Sequence, residues 1–103
     1  MADVTRETLV KTLEEIALLL ELKGSNPFKT RAYRNGAEIV QNFDGDIVSR
    51  ASDDDLKGIK GIGDALQQKL HELASTGSLG YYEDLRAEFP VTLFELFEVQ
   101  GLG

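Results

Sequence analysis

The sequence predicts an all-α fold, a compact bundle of short helices, on three observations. Apolar residues recur three or four positions apart along most of the chain, and no segment shows the alternation that is typical of a strand. Glycine or proline stands at the breaks between the periodic segments, as expected for turns between helices. The length of 103 residues and the hydrophobic content of 42% suit a single domain with a modest core.

Two long helices are expected first. One spans residues 5–23 and ends at Gly24, because helices often end on a glycine. Asn26 caps the next helix, and Pro27 takes its first position, where a missing N–H costs nothing. This second helix is expected to stop near residues 44–45. The apolar stripe of the first helix is Leu9, Leu13, Ile16, Ala17 and Leu20, and the side chains expected to point inward from the second are Phe28, Ala32, Ile39, Val40 and Phe43.

Shorter helices are expected in the second half of the chain. The first covers residues 46–50, and the second covers residues 53–57 directly after Ser52. A third covers residues 64–75 and ends before Gly77. A fourth runs from Ser78 to Pro90, and a last one passes through Leu93, Phe94 and Phe97. Leu66, Leu70 and Leu73 fall on one face of the helix over residues 64–75.

The composition excludes several classes of protein. Without cysteine, the chain can hold neither disulfides nor thiolate metal sites. His71 is the single histidine, so no zinc site is expected there, and we place it on a helix surface. The amino terminus lacks the apolar core of a signal peptide, and the longest apolar run, residues 16–20, is far too short to span a membrane. A soluble cytoplasmic protein is therefore expected.

The charge of the chain is unevenly distributed. The net charge of −7 argues against binding to a polyanion through bulk electrostatics. Residues 22–37 nevertheless carry Lys23, Lys29, Arg31 and Arg34 without any acid, and residues 56–63 carry Lys57 and Lys60 without any acid. We therefore expect a polarised surface with a local basic face.

The strongest local motif is a glycine-containing turn between two helices, LKGIKGIGDA at residues 56–65. Gly61 and Gly63 allow a tight turn and a close approach of a partner. The side chain of Ile62 is expected to be buried in the core and so to anchor the turn. The free N–H groups that begin the next helix suit a phosphate. This pattern predicts a helix-hairpin-helix over residues 53–76 that holds a DNA backbone without reading bases. The expected contacts are Lys57, Lys60, Gly61, Ile62 and Gly63.

Two other interpretations of this motif are open. In the first, the glycines merely form a tight connection between two helices. A dinucleotide-binding loop is disfavoured, because no strand precedes the glycines and Leu66 stands where a third glycine would be needed.

A second candidate contact lies at the start of the second helix. Lys29 and Tyr33 are one helical turn apart and share a face, which suits a terminal phosphate or a base stacked on the phenol ring. Arg31 and Arg34 belong to the same basic segment and are expected to contact DNA as well. The alternative is a solvated basic face with Tyr33 half-buried, and the spacing does not decide between the two.

Lys69 lies at the edge of the apolar stripe of the helix that follows the hairpin. A lysine there usually keeps its charge in water and has no function. A nucleophile is the alternative, but an amine is nucleophilic at neutral pH only when its pKa is lowered by desolvation or nearby cations. Lys29 and Lys57 would have to be those cations.

The hairpin sequence is partly repeated at the end of the chain. IKGIG at residues 59–63 returns as VQGLG at residues 99–103, without a following helix. We therefore expect a domain over residues 1–90, the truncated start of a second hairpin over residues 91–103, and a longer parent protein.

Two longer motifs resemble the bacterial and archaeal family X DNA polymerases. These are LELKGSNPFKTRAYR at residues 20–34, and the hairpin together with LASTGSL at residues 73–79. The resemblance spans nearly the whole chain and implies the amino-terminal domain of a repair polymerase. Domains of this kind bind gapped DNA by its 5′-phosphate. In some members, a lysine also forms a Schiff base with a 5′-deoxyribose phosphate, and β-elimination follows.

The resemblance implies roles for individual residues. Lys69 matches the lysine that forms the Schiff base in family members that act in base excision repair. Lys29, Tyr33 and Lys57 match the family's phosphate-binding positions. Three further positions depart from the pattern, because Ala65 and Tyr81 replace lysines and Phe28 replaces a histidine. The family's monovalent cation would lie on the carbonyl oxygens of Lys57, Ile59 and Ile62. No other cofactor is implied for these residues, and Mg²⁺ or Mn²⁺ is expected only for the parent polymerase.

Three functions follow from these observations. The first is a DNA-anchoring module, monomeric as a fragment, that positions a polymerase on gapped DNA. The second is an active lyase, which requires a reactive Lys69. The third is a protein-interaction module that uses the acidic face. No membrane partner is expected.

Overall fold

The computed structural model describes residues 4–93. Within that range, the chain forms five helices and no strand, so the all-α prediction is confirmed. The helices are α1 (Arg6–Leu22), α2 (Pro27–Asn42), α3 (Ile47–Ser52), α4 (Asp64–Thr76) and α5 (Gly80–Arg86), and residues 91–93 are helical as well. The predicted helix through Phe97 and the second hairpin at residues 99–103 lie outside the described residues. No helix among residues 4–93 has the length and apolar character needed to cross a membrane.

The ends of the first two helices follow the predicted cap chemistry. Gly24 has a φ of 77°, and its N–H group donates to the Glu21 carbonyl oxygen as α1 ends. The Asn26 side chain accepts a hydrogen bond of 2.8 Å from the Phe28 N–H, and Pro27 occupies the first position of α2. These caps set the sharp turn by which α2 folds back along α1.

The core lies between two packed helix pairs, α1 with α2 and α3 with α4. All five residues of the predicted α1 stripe are buried, and so are Leu66, Leu70 and Leu73 of α4. Leu79 and Leu85 anchor α5 to this core with 1% and 4% of their surface exposed. The placement of α5 matters, because it closes one side of the candidate site described below.

The predicted inward face of α2 is partly wrong. Phe28 is 77% exposed and Ala32 is exposed, whereas Tyr33 and Ala37 are buried together with the predicted Val40. Ile39 and Phe43 are half-buried. The contact face is instead marked by Gly36, because a Cβ there would overlap the Leu66 side chain of α4. Phe28 and Ala32 therefore lie outside the buried face of α2, which includes Gly36.

The predicted helical turn over residues 53–57 is absent, because this segment ends α3 instead. Asp54 has a φ of 56°, which a helix does not accommodate. Its N–H group donates to the Ala51 carbonyl, and the Asp55 N–H donates to the Arg50 carbonyl at 2.8 Å. This is a Schellman ending with aspartate in the position that usually holds glycine. The helix that precedes the hairpin is therefore α3.

Two further differences concern the second half of the chain. The helix predicted from Ser78 to Pro90 is shorter than expected, since α5 begins at Gly80 and ends at Arg86. His71 is partly buried, and its Nδ1 donates a hydrogen bond of 2.9 Å to the Ala51 carbonyl. It therefore joins α4 to α3 rather than lying free on a surface.

Candidate functional site

A pocket forms where α2, the hairpin with the start of α4, and α5 meet. Its volume is about 480 Å³. The side chains and glycines that matter for its chemistry are Lys29 and Tyr33 from α2, Gly61 and Gly63 from the hairpin, Lys69 from α4 and Tyr81 from α5. The packing of α2, α4 and α5 thus brings three of the predicted side chains, Lys29, Tyr33 and Lys69, into one cavity.

Two lysines and two tyrosines are grouped tightly in this pocket. The Nζ atoms of Lys29 and Lys69 lie 5.4 Å and 4.6 Å from the centre of the Tyr81 ring. The ring of Tyr81 stacks on that of Tyr33 at 6.0 Å between centres and 12° between planes. Burial raises the pKa of the Tyr33 hydroxyl, and the neighbouring Tyr81 adds to the shift, so the phenol stays neutral at physiological pH. The group therefore combines two cations with a neutral hydroxyl.

The hairpin supplies the backbone side of the pocket. Gly61 has a φ of 92°, a conformation that favours glycine, and Ile62 between the two glycines is only 4% exposed. Gly63 precedes α4 as its cap and contributes no side-chain hydrogen bond to the helix. The first N–H groups of α4 are therefore open to an anion. Asp64 is the only acid that lines the pocket within the described residues.

Two of the three carbonyl groups predicted to hold a monovalent cation have other contacts. The Ile59 carbonyl accepts the Ile62 N–H at 3.1 Å, and the Ile62 carbonyl accepts Nε2 of Gln67 at 3.2 Å. Each oxygen retains a second lone pair, so the cation site stays a prediction. Among residues 4–93, no group of three or more histidine, cysteine, aspartate or glutamate side chains is placed to hold a metal ion.

The other predicted DNA contacts lie outside the pocket. Lys60 lines an adjoining groove, which shares Gly61 and Ala32 with the pocket. Lys57 is exposed on the turn that precedes Lys60. Arg31 is exposed on another side of α2, where it lines a groove with Glu21. Arg34 forms two hydrogen bonds of 3.2 Å with the Glu21 carboxylate. The structure thus divides the basic segment of α2 between two surfaces.

Carboxylates pair with basic residues away from the pocket. Lys23 contacts Glu88 at 2.7 Å, and the Glu21 carboxylate has a lowered pKa because it accepts hydrogen bonds from Arg34. In the part of the chain that the structure describes, neither Lys29 nor Lys69 forms an ion pair. Their ammonium groups instead lie against the ring of Tyr81.

Two of the three positions that depart from the family pattern also line this site. Ala65 and Tyr81, which replace lysines, both contribute to the pocket wall, while Phe28 projects into solvent. From the sequence, Tyr81 counts only as a missing charge, and its contact with both lysines could not be predicted. Helical spacing within α5 carries no signal of this contact, because it depends on how α5 docks through Leu79 and Leu85.

The arrangement suits a small, doubly charged anion more than any other ligand class. Two ammonium groups, a phenol hydroxyl and the amino end of a helix converge on a cavity that is open to solvent on one side. A terminal phosphate presents several oxygen acceptors to such donors. Lysine also places its charge without the planar geometry that arginine requires.

Comparisons with known proteins agree with this architecture. A model of the helix-hairpin-helix domain matches residues 5–79. The chain is also 33% identical over 98 residues to the DNA polymerase/3′-5′ exonuclease PolX of Bacillus subtilis strain 168, a match that covers 95% of this chain and 17% of the relative. The resemblance to a family X polymerase is thereby confirmed, although the chain spans about a sixth of that protein's length. On the strength of the match to residues 5–79, the chain belongs to the helix-hairpin-helix domain family.

Proposed function

We propose that this chain is the DNA-binding domain of a family X DNA repair polymerase and that it anchors gapped DNA by the 5′-phosphate and the adjoining backbone. The pocket shared by Lys29, Tyr33, Lys69 and the hairpin carries this proposal. The match to a polymerase from Bacillus subtilis supports the same role. Polymerase activity, with its Mg²⁺ or Mn²⁺, would belong to the parent protein, and a cytoplasmic location stays a prediction.

The 5′-phosphate is favoured over internal phosphates because of the charge of the ligand. A terminal phosphate carries up to two negative charges, whereas an internal phosphodiester carries one. The Nζ atoms of both lysines lie within 6 Å of the Tyr81 ring centre, so two positive charges line the same pocket. The helix-hairpin-helix and Lys60 would then contact the backbone next to it without reading bases.

Equilibrium binding to gapped DNA with and without a 5′-phosphate tests the proposal. Fluorescence anisotropy at low and moderate salt is measured for the wild type, Lys29→Ala and Lys11→Ala. We expect the wild type to prefer the phosphorylated gap, and Lys29→Ala to lose about 1–2 kcal/mol of this preference, a factor of roughly 5–30. The slope of log affinity against log salt should also fall by about one.

Lys11→Ala is the matched control, because it removes the same charge from an exposed lysine of α1 that pairs with Glu7. It should leave the phosphate preference unchanged. Equal binding of the wild type to both gapped DNAs would refute phosphate anchoring. If Lys29→Ala and Lys11→Ala lost the same amount of phosphate preference, net charge alone would explain the effect. No DNA binding at low salt would favour a protein-interaction module.

A second candidate function is a 5′-deoxyribose-phosphate lyase, because Lys69 lies in the same pocket as the phosphate-binding candidates. Its amine would condense with the sugar aldehyde, release water and form a Schiff base. A base would then take the C2′ proton, and the C3′–O bond would break to release the DNA strand with its 5′-phosphate. Water would hydrolyse the remaining imine and free the lysine. The pocket gives this function weaker support than anchoring. A nucleophilic lysine has to be uncharged, whereas the ring face of Tyr81 attracts a charged ammonium.

Borohydride trapping on a gap with an abasic 5′ end separates the lyase from the anchor. A covalent adduct with the wild type that disappears in Lys69→Arg would establish the lyase, because arginine keeps the charge but forms no Schiff base. If the wild type prefers the 5′-phosphorylated gap but forms no covalent adduct, the lyase is ruled out and anchoring is the function.

A further inference from the structure

We infer that Tyr81 is a positioning residue that holds the ammonium groups of Lys29 and Lys69 together as one phosphate-binding pair. This inference rests on the proposed function, since it explains how the pocket binds a terminal phosphate with only two lysines. Tyr81 stands where the family pattern has a lysine, so the pocket has one positive charge fewer than that pattern.

The geometry around Tyr81 carries the inference. The two Nζ atoms lie 5.4 Å and 4.6 Å from the centre of the same ring, both within the range in which an aromatic ring attracts a cation. Lys29 comes from α2 and Lys69 from α4, so the ring is the element that both side chains share. Neither lysine has a carboxylate partner among residues 4–93 that would orient it otherwise.

Tyr81 itself is held firmly. It stacks on the buried ring of Tyr33, and its helix is anchored by Leu79 and Leu85 on either side. Because an ordered ring fixes where the two flexible lysine side chains lie, less conformational freedom is lost when a phosphate binds. A third lysine at this position would add charge, but it would also add repulsion and another flexible side chain.

The test compares Tyr81→Phe with Tyr81→Leu in the full chain. Phenylalanine keeps the ring face and should keep the preference for the 5′-phosphorylated gap within about twofold of the wild type. Leucine keeps the apolar contact but removes the ring, and the preference should fall about fivefold or more. Retained preference in Tyr81→Leu, with a dispersed amide NMR spectrum that shows an intact fold, would overturn the inference.

A second readout does not depend on DNA. The CεH₂ protons of Lys29 and Lys69 should resonate upfield of free lysine because of the ring current, and both should return to ordinary positions in Tyr81→Leu but not in Tyr81→Phe. Unshifted protons in the wild type would overturn the inference even if DNA binding is specific. If instead the wild type ignores the 5′-phosphate while the shifts are present, the proposed function fails and the positioning of the lysines stands.

Discussion

Replacing Gly61 by alanine tests whether the hairpin geometry depends on the backbone freedom of glycine. The φ of 92° at Gly61 costs an alanine about 1–2 kcal/mol. The new Cβ would overlap Cδ1 of Ile39, and moving that side chain from its rotamer adds about 0.5–1.5 kcal/mol. Alanine also restricts the unfolded chain, which offsets about 0.4–1 kcal/mol. The free energy of unfolding should therefore fall by about 0.5–3 kcal/mol, and each kcal/mol lowers Tm by roughly 4–8 °C.

Urea denaturation followed by far-ultraviolet circular dichroism measures this loss, and Gly63→Ala is its matched control. Gly63 has a φ of −79° and a ψ of 176°, and no atom lies within 4 Å of a Cβ at that position. A poorer helix cap costs about 0.5 kcal/mol, which the restricted unfolded chain offsets, so the variant should stay within about 0.5 kcal/mol of the wild type. A Gly61→Ala protein as stable as the wild type, or equal losses in both variants, would refute the reasoning.

Three other predictions concern the core and the surface. Ile62→Ala should lower the free energy of unfolding by about 2–4 kcal/mol in urea denaturation, because a side chain that is 4% exposed leaves a cavity. Phe28→Ser should change it by less than about 0.5 kcal/mol, since Phe28 is 77% exposed; a larger loss would place Phe28 in the core after all. Glu21→Gln should be less stable than the wild type at neutral pH, because Arg34 lowers the pKa of Glu21 below its usual 4.5. That difference should be full above pH 4.5 and vanish as acid protonates Glu21, and a difference that grows in acid would contradict it.

Helix ends could be predicted from the sequence because their chemistry is local. Gly24, Asn26 and Pro27 act through their own backbone and nearest neighbours, and the structure uses each as predicted. The same rule failed over residues 53–57, where three aspartates favour the start of a helix but Asp54 adopts a left-handed conformation at the end of α3. Aspartate is compatible with either the start or the end of a helix. Which of the two forms here depends on the burial of Leu56 and Ala51 rather than on the local sequence.

The members of the site could be named from the sequence, but their arrangement could not. The motif of the hairpin and the spacing of Lys29 and Tyr33 indicated phosphate contacts, and Lys69 came from the resemblance. The pairing of Arg34 with Glu21 across two helices, and the contact of Tyr81 with both lysines, depend on the angles at which α2 and α5 pack. Contacts between helices, such as the close approach of Gly36 to Leu66, have no signature along a single helix.

The net charge of −7 is compatible with an anion site because charge acts locally at physiological salt. The Debye length is about 8 Å at that ionic strength, whereas the domain measures 37 × 32 × 22 Å, so acids on the far side are largely screened from a phosphate in the pocket. At about 0.01 M salt the Debye length of roughly 30 Å approaches the size of the domain, and the distant acids then repel DNA. Lowering the salt therefore strengthens the contacts of Lys29 and Lys69 but also the repulsion by the rest of the chain. For this reason the ratio of affinities for gaps with and without a 5′-phosphate reports on the pocket, whereas the absolute affinity reports on the whole acidic surface.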